Sequence, residues 1–362
     1  MTRAPRVSVV MTTYNASRYL RETIEGILAQ TLTDFEFVIV DDCSSDDTVA
    51  IIESYRDSRI WLIRNPENKG ISATRNIGID AARGDYLAAL DHDDISLPER
   101  LARQVAFLDA HPRAVLVGTA AKLLENGRIR DYYAPVTEPH LLRWALFTRC
   151  PLIHSSICMR VKTLRDHGLH YRQEYHYAED FDLYHRLAEI GDLACLPERL
   201  TIYREHGDNA STRHAGAMTR HGQSFMLDVY RRLLGPDVEP DEVARVWKLV
   251  TRGGSAMDRA EIDVVGAFLA RLLAAFLDRV PLDPGQADDI RRAAAQAWWR
   301  VVRRGAKDLG PGVLPVFSAY PALTAMHPAL GERVATGVSA LLGPRIVGAI
   351  QRPVRRIFPA RW

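Results

Sequence analysis

Cysteine is scarce in this chain and scattered. The four, Cys43, Cys150, Cys158 and Cys195, form no CxxC pair, which excludes a disulfide framework and a thiolate zinc site and fits a reducing compartment. Long hydrophobic runs are missing as well. No stretch of about eighteen uninterrupted apolar residues occurs, so no transmembrane helix is expected; the nearest approach, Val264 to Leu277, carries Arg271 at its centre. The apolar run Val7–Met11 is too short for a signal peptide and polar residues follow it at once. An excess of one charge is also lacking. The net charge of +2 argues against a nucleic-acid binder, which carries a basic stripe. What is present, 47% hydrophobic and 25% charged residues, is the composition of a soluble globular enzyme-sized chain.

Short β-type runs alternate with helical patterns through the first two hundred residues, which predicts a mainly parallel α/β sheet flanked by helices. Strands are expected at Val7–Met11, Phe35–Val40, Ile60–Ile63, Tyr86–Leu90, Val115–Gly118 and Ser156–Met159. Between them fall helices at Ser17–Gln30, with Ser17 as N-cap, then through Ile51, Ile52 and Tyr55, at Ile71–Ala82, and through Leu101, Val105 and Leu108. A further helix is expected over Phe181–Ile190. Beyond His214 the strand signals fade and amphipathic helices take over, at Asp241–Val250, Asp258–Asp278 and Ala287–Arg303, two of them separated by the loop Pro281-Leu282-Asp283-Pro284-Gly285. The expected organisation is therefore an α/β domain over 1–214 and a helical C-terminal region over 215–362. After Glu332 no acid remains, while Arg333, Arg345, Arg352, Arg355, Arg356 and Arg361 accumulate among Ile346, Ile350, Phe358 and Trp362. Such a tail suits either peripheral contact with an anionic membrane or packing on a partner.

Asp91-His92-Asp93-Asp94 stands at the end of the apolar run Asp85–Leu90. A buried strand that stops in acids delivers carboxylates to the carboxyl edge of the sheet, where open α/β folds bind ligands. Three carboxylates in four residues repel one another, so something positive belongs among them. A divalent cation carrying phosphate, Mn²⁺ or Mg²⁺, is the expected partner.

Other clusters fall at or just after strand ends. Thr12-Thr13-Tyr14-Asn15 offers hydroxyls and a ring to a nucleobase, or simply a turn and helix cap. Asp42 offers a carboxylate to a base or ribose, or a cap for the next helix. Lys69 and Arg75, in Asn68-Lys69-Gly70 and Arg75-Asn76, offer charge to a diphosphate, or a surface loop and helix face. Glu179-Asp180 precedes a helix, where an acidic pair caps the macrodipole and where a carboxylate can act as general base. His154 precedes an expected strand, a position from which it could face the same cleft, and His206 lies in the polar loop Tyr203–Asn209.

Taken in this order, from Val7 to Ser211, these motifs resemble the inverting family 2 glycosyltransferases of GT-A fold, a Rossmann-like architecture here followed by an α-helical extension. The resemblance is carried by Val7–Asn15, Val38–Thr48, Asn68–Asn76, Asp91-His92-Asp93, Glu179-Asp180 and Tyr203–Ser211. It implies a DxD motif in which Asp93 is the direct metal ligand and Asp91 stands nearer the ribose, with His206 a second metal ligand. It implies that Thr12, Tyr14, Asp42, Lys69 and Arg75 meet the nucleotide, that Asp180 is the catalytic base, and that His154 and Glu179 border the sugar and acceptor. The partners implied are a UDP- or GDP-linked sugar and a saccharide or lipid-linked acceptor, with no nucleic acid, in a cytoplasmic or membrane-peripheral enzyme of cell-envelope polysaccharide assembly. The multi-pass helices and QxxRW signature of processive synthases are missing, which points to transfer of single hexosyl units. Two rival readings use Asp91 as a phosphoacceptor, in a receiver-like signalling domain or a haloacid-dehalogenase-like phosphatase. A strand before Asp41-Asp42 and the lack of a convincing late Lys-Pro argue against the first, and three strands before Asp91 argue against the second. A degenerate, non-catalytic sugar-binding relative is a third, disfavoured by the retention of Asp93 and Asp180.

Overall fold

The computed structural model describes residues 4–324 apart from 134, 255, 257, 311 and 312; the basic tail singled out above lies outside the described residues. The chain divides into two compact units. The first runs to Gly222 except for Phe147–Arg149, which join the second with the residues from Gln223 onward.

The first unit is built on a sheet of nine strands: β1 (Val7–Thr13), β2 (Phe35–Asp41), β3 (Ile60–Arg64), β4 (Tyr86–Asp91), β5 (Ile95–Ser96), β6 (Ala114–Glu125), β7 (Arg128–Tyr133), β8 (Cys158–Arg160) and β9 (Asp192–Glu205). Their order is β3-β2-β1-β4-β8-β6-β9-β5, with β7 added on β6. The first four are parallel. Beyond β4 the sheet is mixed: β8 runs antiparallel to β4 and β6, β7 to β6 and β5 to β9, while β6 and β9 are parallel. β1 and β2 are buried on both faces almost throughout, which is why they read as unbroken apolar runs rather than alternating ones.

The helices of this unit are α1 (Leu20–Leu28), α2 (Thr48–Ser54), α3 (Ile71–Ala81), α4 (Arg100–Ala110), α5 (Pro139–Ala145), α6 (Val161–Asp166), α7 (Glu179–Ala188), α8 (Ala210–Arg213) and the start of α9 (Ala215–Leu234). Leu20, Ile24 and Ile27 of α1 and Leu101 and Leu108 of α4 close one core with Val9, Met11, Phe37, Ile39 and Leu90 of the strands. α1 starts later than its periodicity suggests, so Tyr19 and not Ser17 holds the N-cap position, without a side-chain cap, and the Ser17 amide donates to Asp46 Oδ2 at 3.1 Å. β7 and the fourteen-residue β9 carry no clean alternation, and β6 turns into β7 at Asn126-Gly127. Asn126 and Gly127 both have positive φ, 50° and 73°, the conformation of a two-residue hairpin turn for which Asn-Gly is the preferred pair.

The second unit is helical among its described residues. The remainder of α9 is followed by α10 (Pro240–Val246), α11 (Arg259–Arg279) and α12 (Pro284–Leu309). Asp258 caps α11 by accepting from the Glu261 amide at 2.8 Å. Pro284 and Gly285 belong to α12 rather than to a separating loop: Asp283 and Gln286 form a capping box and Pro284 occupies the first turn, where its missing N–H costs nothing. No described helix is long and apolar enough to cross a membrane.

Gly84, in the turn before β4, lies against β1 so closely that a Cβ there would stand 2.7 Å from the Ser8 amide nitrogen and 2.8 Å from the Val7 carbonyl carbon. Its own amide donates to Ser8 Oγ, which donates in turn to buried Glu36. Backbone cannot yield as a side chain can, so Gly84→Ala should cost about 1–3 kcal/mol. In urea titration this appears as a lowered midpoint at unchanged slope.

Candidate active site

Strand register builds the site. Thr13 of β1 lies opposite Asp41 of β2 and Thr12 opposite Asp91 of β4, so one sheet edge gathers three of the sequence clusters. There Asp41 accepts from Thr13 Oγ1 at 3.0 Å and from the Ser44 hydroxyl and amide at 2.5 and 3.0 Å. Asn15 Oδ1 accepts from the Ser45 amide at 2.9 Å. The two loops after β1 and β2 are thereby tied into one rim, from which the Tyr14 ring projects half exposed. Burial alone would raise Asp46, but hydrogen bonds from Thr48 and Ser17 bring it down to about 2.

Asp42 is placed differently from a free ligand for a base. Its Oδ1 accepts from Asn65 Nδ2 and the Lys69 amide, both at 2.8 Å, and its Oδ2 from the Gly70 amide at 2.9 Å. The carboxylate thus folds the Asn68-Lys69-Gly70 loop and seats the start of α3. Lys69 itself extends its side chain from that loop into solvent.

Arg75 is the hub of the site's interior. It projects from α3, is buried, and donates through Nη1 to Glu179 Oε1 at 2.7 Å and through Nη2 to Asp91 Oδ1 at 2.9 Å. His154 Nδ1 lies 3.1 Å from Asp91 Oδ1, its Nε2 lies 3.0 Å from the Tyr171 hydroxyl, and Ser155 Oγ donates to Asp91 Oδ2 at 2.9 Å. Arg75 is therefore a buried ion-pair centre, its guanidinium shared between Asp91 and Glu179. Asp91 is spoken for on both oxygens. Burial works against its charge, yet His154, Arg75 and Ser155 together hold its carboxyl well below the ordinary range. Both Asp91 oxygens are thus engaged within the protein, which lends the phosphoacceptor readings no support.

Asp93 stands in a second group. Its Oδ2 lies 3.0 Å from His206 Nε2 and accepts from Asn209 Nδ2 at 3.3 Å. Arg204 of β9 donates through Nε to the Asp93 carbonyl at 2.9 Å and through Nη2 to Glu22 at 2.5 Å, with its guanidinium over the Tyr19 ring, which packs 4.8 Å from His206. Asp94 accepts the Arg204 amide at 2.8 Å, and burial with Asp93 and Asp91 nearby drives its carboxyl well above the ordinary range. Beneath these acids Arg100 is completely buried, donating to Ser96 Oγ and to the Ala89 and Ile157 carbonyls at 2.8–3.0 Å. Burial pushes it down to about 10, with Cys158, Asp94 and Asp91 opposing, so it stays cationic at neutral pH. Arg75 and Arg100 thus provide part of the positive charge that the acidic run demands.

No group of three or more Cys, His, Asp and Glu side chains poised to hold a metal occurs among the described residues. Asp93 and His206 nonetheless place a carboxylate oxygen and an imidazole nitrogen 3.0 Å apart, a donor pair of the types that suit a borderline divalent cation completed by ligand oxygens. Asp180 begins α7 next to Glu179. Its Oδ1 accepts the Phe181 amide at 2.7 Å. Burial, then Glu179, raises its carboxyl above the ordinary value despite the opposing pull of His154 and Arg75. Ser155, Tyr171 and Asn209 are structural members of the site that motif reading did not single out. Ser155 adjoins His154, whereas Tyr171 carries no local signal.

Residues 8–168 match the family described as glycosyl transferase family 2. An uncharacterised glycosyltransferase of Haemophilus influenzae is 32% identical over 59% of this chain and 69% of its own length. The putative glycosyltransferase EpsE of Bacillus subtilis is 36% identical over 58% of this chain and 76% of its own. The succinoglycan biosynthesis protein ExoO of Rhizobium meliloti is 35% identical over 44% of each. Among solved structures, S. aureus TarS 1-349 in complex with UDP-GlcNAc superposes with a TM-score of 0.54 at 20% identity, covering 88% of this chain and 90% of that one. The fold is of the GT-A type, with a helical C-terminal part.

Removing the guanidinium of Arg75 strands two carboxylates below the surface. Arg75→Met should cost about 3–5 kcal/mol of stability at neutral pH, read as a lowered thermal midpoint. Arg75→Lys should recover only part, since one ammonium cannot serve Asp91 and Glu179 with two separate, fixed donors.

Proposed function

This chain belongs to glycosyl transferase family 2, and we propose that it moves a single sugar from a UDP- or GDP-linked donor to an acceptor hydroxyl with inversion at the anomeric carbon. The observation that carries the reading is the separation of two kinds of carboxylate at one sheet edge. Asp93 is paired with an imidazole on the strand-end side, and Asp180 has a raised pKa on the α7 side. In this reading Asp93 and His206 hold Mn²⁺ or Mg²⁺, which supplies charge neutralisation for the leaving diphosphate. Tyr14, Thr12 and Lys69 line the nucleotide side, with Asp42 shaping the loop that carries Lys69. Asp91 and Arg75 set the floor, and His154 and Glu179 border the sugar.

Asp180 takes the proton of the acceptor hydroxyl. The oxygen attacks the anomeric carbon as the bond to the diphosphate breaks and its electron pair leaves with the phosphate. One displacement inverts the configuration, and no second carboxylate nucleophile is needed. A base must be ionised to work yet strong enough to accept a proton, and the raised pKa of Asp180 moves it toward that compromise. The kinship with ExoO supports a place in polysaccharide assembly. The basic tail supports a site of action in the cytoplasm or on the inner face of the membrane; truncation after Glu332 should then reduce sedimentation with anionic liposomes, and unchanged sedimentation would refute the membrane contact.

Two substitutions separate the roles. Asp93→Ala should lose the Mn²⁺-dependent part of UDP or GDP binding, measured by calorimetry. Asp180→Asn should keep that binding and lose turnover, and wild-type transfer by this variant would refute the base. The acid limb of kcat/KM should lie above the ordinary Asp value of 3.8, activity falling as pH drops through it. Stability runs the other way. A carboxyl whose pKa is raised on folding favours the folded state below its ordinary value and loses that advantage as pH rises through the raised one. Asp180→Asn should therefore raise the thermal midpoint at neutral pH while abolishing transfer.

A further inference from the structure

Tyr177, two residues before Glu179, adopts φ +65°, and Asn15, Cys43 and Asn126 are the only other non-glycine residues with positive φ among the described ones. Asn126 makes a hairpin turn, and Asn15 and Cys43 sit in the rim loops of the site. A bulky aromatic residue in the left-handed region persists only where surrounding contacts hold it. The contacts here come from the start of α9. The Tyr177 ring stacks on His214 with centroids 4.6 Å apart and planes 14° from parallel. His221 Nδ1 donates to the carbonyl of His176. The His214 carbonyl accepts the Met218 amide at 2.9 Å, so His214 already lies on the helical path. His214 and His221 are seven residues apart, two turns, and so share one face.

The same stretch of chain begins at the metal side. His206 and Asn209 both contact Asp93 Oδ2. The Asn209 carbonyl then accepts the Thr212 and Arg213 amides at 3.0 and 2.9 Å, so the short turn α8 links Asn209 to His214 without slack. One nine-residue span thus touches Asp93 at its start and the turn that launches α7 at its end.

We propose that Tyr177 and His214 are positioning residues that couple the Asp93–His206 end of the site to Asp180, so that seating of the nucleotide and cation fixes the base-bearing end of α7. This rests on the roles given above to Asp93 and Asp180. Neither ring touches the reacting atoms in it; both act through the backbone at 176–180.

Hydrogen exchange on the full chain, with Mn²⁺ and either UDP or GDP, tests the coupling. In the wild type, nucleotide and Mn²⁺ should slow exchange over 206–209 and, by about tenfold, over 178–182. His214→Ala should keep the first protection and lose the second. Tyr177→Leu should do the same from the other side of the stack, and His214→Phe, which restores a ring, should keep both. Protection of 178–182 in His214→Ala equal to that of the wild type would overturn the proposal, as would its absence in the wild type when 206–209 is protected. Protection of neither segment with either nucleotide would bring down the metal assignment, and the coupling with it.

Discussion

The ion-pair pair made by Arg75 is the constraint on which the site depends. One guanidinium from α3 spans Asp91, at the end of β4, and Glu179, at the start of α7. A buried ion pair is poor evidence for stability, because desolvating the charges costs about as much as their attraction returns. Its value lies in geometry: a planar fork with fixed donors sets the distance between a strand end and a helix end that are 88 residues apart by their numbers, 91 and 179. It also divides the carboxylates. Arg75 has donors for Asp91 and Glu179, and Asp180, next in sequence, is left with a backbone amide and a raised pKa.

The same division runs through the acidic strand end. Asp91, Asp93 and Asp94 face three different environments although they are nearly consecutive. Asp91 is held ionised by Arg75, His154 and Ser155. Asp94 is buried against the β9 backbone with its Oδ2 unbonded among the described residues, where the neutral acid is favoured. Asp93 lies beside the His206 imidazole and, among the described residues, its carboxylate has no arginine partner. The repulsion implicit in the sequence is thus relieved in part by the Arg75 and Arg100 cations, while burial favours the neutral form of Asp94.

The parts of the fold written as local pattern were legible: the buried runs β1, β2 and β4, the amphipathic α1, α4 and α11, and the acids at strand ends. What was not legible depends on long-range partners. β9 makes a strand from Asp192–Glu205 because β6 and β5 offer it two edges, and its own residues, broken by Pro197 and several charges, do not alternate. The protein partners of Arg75 and Asp42 were not legible for a related reason. Their residue types suit ligand contacts, but the partners that absorb them, Glu179 in one case and the Lys69 and Gly70 amides in the other, are set by tertiary packing that no spacing encodes.

Backbone strain follows the same map. Of the rim residues with positive φ, Asn15 suits the left-handed region and Cys43 and Tyr177 do not. Neither is in a hairpin turn that would require it. Cys43 follows directly on Asp42, whose two oxygens are fixed by three amide donors, and Tyr177 precedes the helix whose first residue is fixed by Arg75. In both places a polar anchor one or two residues away determines where the chain must go, and the unfavourable dihedral falls on the residue that links the anchor to the rest of its loop. The unfavourable dihedrals at these positions thus stand beside carboxylates held by hydrogen bonds and, at Tyr177, beside the ring stack with His214 as well.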